Sequence, residues 1–110
     1  MEDSFSVQPY LTDVLLLTQT AKQIKKDFAF FDLSVEFSGN TENAYQELFS
    51  QILPHIKELL DTNFPRFLSL LYRIDINEKF IKNTGISSEE ITDLIIKRCL
   101  QKVVLRKLYS

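Results

Sequence analysis

A chain of 110 residues with 45% apolar and 25% charged residues has the composition of one ordinary globular domain, which excludes disorder along most of its length. A chain this long buries roughly 65% of its unfolded surface, enough for one core without disulfide or metal staples. The net charge of −2 does not point to nucleic acid, and it is unevenly spread: residues 1–64 carry ten acids and four cations, and residues 65–110 carry five acids and nine cations. Either the two halves attract each other or the basic end meets an acidic partner.

Two glycines and three prolines supply few turns, which favours a small number of long helices. The single cysteine, Cys99, has no internal disulfide partner. The start, Met1-Glu2-Asp3, lacks the basic region of a signal peptide, and the longest apolar run near it, Val14 to Leu17, is far too short for a membrane span. The expectation is a cytoplasmic protein without a membrane span.

Residues 1–6 are polar apart from Phe5 and are expected to be loose. Val7, Tyr10, Val14, Leu17, Ala21, Ile24, Phe28 and Phe31 then recur at intervals of three and four. That spacing predicts an amphipathic helix of about 20 residues starting near Pro9, with Leu16, Gln23, Asp27 and Phe30 opposite the apolar seam. Phe30 is therefore either beyond the helix end or exposed for a partner. From Asp32 to Asn40 apolar Leu33, Val35 and Phe37 alternate with polar residues, as in a loop tucked under the core.

A second helix is expected over roughly 42–61, with Asn43 and Gln46 at its start and Pro54 kinking or dividing it. Asn63 and Pro65 mark a third helix start, with Phe64, Phe67, Leu68, Leu71 and Tyr72 as its buried face. Asn77 caps a short fourth helix through Lys82, and Gly85 ends it. Ser87 and Glu90 form the capping-box pairing of a last helix, which begins with Glu89, Glu90 and Asp93 and then carries only cations: Lys97, Arg98, Lys102, Arg106 and Lys107. The predicted fold is all-α: one compact bundle of four to five helices, residues 1–110, with long first and last helices.

Enzymatic chemistry finds little to work with. Cys99 lies on the most apolar face of the last helix, and His55 is a surface or cap residue beside Pro54. Two separated glycines make no phosphate loop, and Asp75, Asn77 and Glu78 lack the glycine and distal glutamate of a calcium loop. No catalytic residue, metal or cofactor is expected. Residues 76–95 have the rhythm of a helix-turn-helix, but Glu89, Glu90 and Asp93 at its contact end repel phosphate, which disfavours nucleic acid.

The last helix carries the functional expectation. Ile95, Ile96, Cys99, Leu100 and Val103 form one apolar face, whereas Leu94, Leu105 and Leu108 lie on another side among Lys97, Arg98 and Gln101. The second stripe marks a centrally buried helix, meets a protein partner, heterologous or a second copy, or lies on an anionic membrane. The membrane is disfavoured because Lys and Arg are mixed into the apolar stripe instead of lying opposite it. The leading expectation is a non-catalytic protein-interaction module using Leu94, Lys97, Arg98, Gln101, Leu105 and Leu108. The alternatives are a nucleic-acid-associated regulator using Lys102, Arg106 and Lys107, and a small apolar-ligand binder with a pocket between Phe-rich helices.

Overall fold

Asp13 is an N-cap: its carboxylate accepts the Leu16 amide at 3.0 Å, and α1 runs from Val14 to Ala29. The computed structural model describes residues 13–82 and 85–109, without the side chains of Phe80 and Lys82. The expected start at Pro9 and the seam positions Val7 and Tyr10 lie outside the described residues. A 3-10 turn, Thr41–Asn43, leads into α2 (Ala44–Thr62); α3 is Phe64–Ile74, α4 is Glu78–Lys82 and α5 is Ser88–Leu108. Four helices thus carry an all-α fold and α4 adds a single turn, with a radius of gyration of 13.5 Å as expected of a compact chain this size. Among the described residues there is no strand, and no helix is long and apolar enough to cross a membrane.

The first and last helices are long, with 16 and 21 residues, but α2, with 19, is longer than the first. The apolar seam of α1 also needs correction. Val14 is 61% exposed, while Leu16 and Asp27, expected on the far side, are buried. The reason is that α5 covers the flank that the wheel left to solvent, so Leu16 packs with Leu100, Val103 and Val104.

The capping box of α5 is present: the Ser87 hydroxyl accepts the Glu90 amide and the Glu90 carboxylate accepts the Ser87 amide. α5 packs most extensively on α1 and α2, and it buries Ile91, Thr92, Ile95, Ile96, Cys99, Leu100, Val103 and Val104. These residues span roughly 220° of its circumference at 3.6 residues per turn. α5 is the central helix, not a helix laid on a finished core by one face.

The link from Asp32 to Asn40 behaves as a tucked loop. Val35 is buried, and Leu33 and Phe37 pack against the core from the side. The loop backbone is paired by side chains of α2. Gln51 accepts the Glu36 amide at 2.8 Å and donates to the Glu36 carbonyl at 2.6 Å, and His55 bonds the Ser34 carbonyl at 2.8 Å. One amide side chain thereby does for Glu36 what a neighbouring strand would do.

Asn43 makes no side-chain cap; Asn40 does so one turn earlier, accepting the Glu42 amide. Pro54 does not divide α2, which is continuous, because its ring lies on the exposed side where water meets the freed carbonyl. Asn63 caps α3 as expected, with Pro65 in the first turn. The buried face of α3 is Phe67, Leu70, Leu71 and Ile74; Phe64 is 39% and Tyr72 86% exposed, so both leave the predicted face. Apolar residues occupy most of α3, and only its neighbours select which row is covered.

Candidate interaction surfaces

α1 and α3 end in the same way. After α1, Asp32 is left-handed (φ 60°), with Leu33 donating to Phe28 O and Asp32 to Ala29 O. After α3, Asp75 is left-handed (φ 72°), with Ile76 donating to Leu71 O and Asp75 to Tyr72 O. Both are Schellman endings with aspartate in place of the usual glycine. A cation from a later helix meets each. Arg66 of α3 donates to the Phe31 carbonyl. Arg98 of α5 donates to the Asp75 carbonyl at 3.3 Å and to its carboxylate at 2.8 Å, while Lys102 reaches the Ile74 carbonyl at 3.3 Å. Positive charge at a helix C-terminus opposes the negative end of the macrodipole.

The predicted surface on α5 is accordingly divided. Leu94 packs against the core. Lys97 pairs with Asp93 at 2.9 Å, and Asp93 also accepts the Tyr45 hydroxyl. Arg98 holds the α3 end and Gln101, whose Oε1 it reaches at 2.6 Å. Leu105 is half-buried, and Leu108 is 60% exposed. Much of what reads as an outward cationic rim is therefore engaged within the chain. The alternative set of Lys102, Arg106 and Lys107 is also partly engaged, since Arg106 donates to Gln23 at 3.2 Å.

A different surface stands open where α1 ends beside α3. Phe30 is 67% exposed and Tyr72 is 86% exposed. They flank a groove of about 1030 Å³, floored by Phe31, Leu68 and Ile76 and bordered by Arg73, Arg98 and Glu78. Its aromatic side is ordered by two arginines. Phe30 and Phe31 meet edge to face at 5.2 Å; Arg73 lies 4.2 Å over Phe30 and Arg66 5.7 Å over Phe31. Arg73 is fixed in turn by the buried Asp27, which accepts from its Nε at 3.0 Å and from Gln23 at 3.1 Å. Phe30 was visible in the sequence as the aromatic residue off the seam. Tyr72 and Arg73 were not, because α3 is apolar on several sides.

The groups with most intrinsic reactivity are occupied or buried. Burial pushes the Cys99 thiol up to about 12, and the charge of Asp27 adds to it. Burial raises the Tyr45 phenol, reinforced by its hydrogen bond to Asp93 and the charge there. The carboxylate of Glu89 is lowered by its backbone hydrogen bond and by the Ser88 hydroxyl. Among the described residues no three His, Cys, Asp or Glu side chains gather as metal ligands. Compared with protein-family models, with curated proteins and with solved structures, the chain has no match.

Proposed function

We propose that this chain is a non-catalytic protein-interaction module that receives an apolar side chain of its partner at the aromatic edge of α1 and α3. The observation that carries this reading is the pair of large exposed rings, Phe30 and Tyr72, on either side of one groove. Scattered single apolar residues are ordinary on a surface, but exposed aromatics beside ordered arginines have the composition of interaction hot spots. The Asp27–Arg73 pair fixes one wall in advance, which lowers the ordering entropy of binding. Arg98 borders the groove and belongs to the α5 stripe, so Lys97, Gln101, Leu105 and Leu108 would extend the surface along α5, with Leu94 packed inward beneath them. The partner is another protein or a second copy of this chain, in a cytoplasm where a lone thiol stays reduced. A small apolar ligand is a weaker reading, because Phe30 and Tyr72 stand out in solvent instead of closing over a cavity.

The test is the double variant Phe30→Ala/Tyr72→Ala. Its unfolding free energy should stay within about 1 kcal/mol of wild type, since both rings are exposed. Affinity capture from the native cell, quantified by mass spectrometry against this variant, should show proteins retained by wild type alone. Sedimentation across concentration reads the homotypic case. Identical captured sets, together with a wild type that stays monomeric, would overturn the proposal.

A further inference from the structure

A second cleft, of about 520 Å³, lies between α1 and the end of α5. α1 lines it with Leu15, Lys22, Gln23 and Lys26, which share a face at helical spacing. α5 contributes Val103, Arg106 and Lys107. Four cations thus line one cleft, and among the described residues no carboxylate lines it.

Lys22 and Lys26 are both exposed. Among the described residues neither ammonium has a hydrogen-bond or ion-pair partner, although the neighbouring Lys25 pairs with Glu36 at 3.0 Å. Like charges one turn apart destabilise a helix, and two more cations across the cleft add to the repulsion. An anionic occupant would relieve the repulsion between Lys22 and Lys26.

We infer that the cleft between α1 and α5 is a second docking site, built for an acidic amphipathic segment of a partner protein. The apolar part of the lining selects the class of anion. Leu15 is 53% exposed, with Val103 buried behind it, so the cleft offers one aliphatic side chain beside its cations. A peptide with carboxylates on one face and a leucine-like side chain on the other uses both. Single-stranded nucleic acid relies on aromatic platforms for its bases, and among the described residues no aromatic side chain lines the cleft. A bilayer presents a plane, whereas this site is concave and takes a chain. The inference does not depend on the aromatic edge, which is lined by other residues.

The test is a fluorescence-anisotropy titration of the full chain. The probe is a dye-labelled helical peptide with glutamates on one face and leucines on the other. Single-stranded RNA of similar length and phosphatidylserine-containing vesicles are run beside it. Peptide binding should saturate, weaken with salt, and fall by about tenfold or more in Lys22→Glu/Lys26→Glu. The milder Lys22→Gln/Lys26→Gln should lie between, with helix content by circular dichroism confirming that both variants fold. Phe30→Ala/Tyr72→Ala should bind the peptide as wild type does. Failure of the peptide to bind, equal binding by the lysine variants, loss of binding in the aromatic variant, or tighter binding of RNA or vesicles than of peptide would each overturn the inference.

Discussion

Two groups of cations face other helices and meet different fates. Arg98 and Lys102 on α5 point at the end of α3 and bond the Asp75 and Ile74 carbonyls. Lys22 and Lys26 on α1 line a cleft with the end of α5, where the charged residues across from them, among the described residues, are Arg106 and Lys107. By residue type the two groups are alike. What separates them is the polarity of the opposing structure: the carbonyl end of a helix in one case, further cations in the other. A basic stripe on a helix therefore says little about partners until the termini packed against it are known.

The inner face of α5 sets the scale for testing this contrast. Ile95 has no exposed surface, and Ile95→Ala should cost about 2–5 kcal/mol in chemical denaturation. Cys99 on the same face gives a pH signature. Its folded pKa of about 12 lies above the ordinary value of 9.0, so above pH 9 the unfolded chain holds fewer protons than the native one. The associated stability is fully present below pH 9 and is lost as pH rises towards 12, at about 1.4 kcal/mol per pH unit. The difference between wild type and Cys99→Ala isolates this loss from lysine and tyrosine titration; a flat difference across that window would show that Cys99 is not held in an apolar site.

Charge reversal at the two cationic groups should differ in sign. Arg98→Glu places a carboxylate against Asp75 and the negative end of α3, and should destabilise by about 2 kcal/mol, moderated by the exposure of the Asp75 side chain. Ser87→Ala removes the acceptor of the Glu90 amide and should cost about 1 kcal/mol. Lys22→Glu replaces a repulsion with an i,i+4 attraction to Lys26 and should stabilise by about 0.3–0.5 kcal/mol. If Lys22→Glu destabilises as much as Arg98→Glu, the two groups are not distinct and the α1 lysines have a role within the fold.

Local chemistry was legible wherever one residue fixes one backbone group. Ser87 with Glu90, Asn63 with Pro65, and the alternation of Leu33, Val35 and Phe37 all kept their expected roles. Faces were less legible. A helix wheel assumes one covering neighbour, but α5 lies between α1 and α2, so Ile91 and Val104 are buried on either side of the expected face. On α3, Phe64, Phe67, Leu68, Leu70, Leu71, Tyr72 and Ile74 allow several faces, and the covered one left Tyr72 in solvent. In the aromatic groove Phe30 had a sequence signal, as an aromatic residue off the seam, and Arg98 had one as part of the α5 stripe; in the second cleft Arg106 and Lys107 had one as basic residues of the last turns. The α1 lysines read as an ordinary polar face, because the cations they meet lie some 80 residues along the chain, as Gln23 and Arg106 do.

The place of α5 in the core has a consequence for biosynthesis. α1, α2 and α3 leave the ribosome before the helix that fills the space between them. Until residues 88–108 emerge, Ile24, Phe28, Ile52 and Ile56 have no final neighbour on that side. At about 5–20 residues per second, translating α5 alone takes roughly one to four seconds. During that interval the nascent chain exposes apolar surface that only α5 covers in the folded protein, the kind of surface from which aggregation starts.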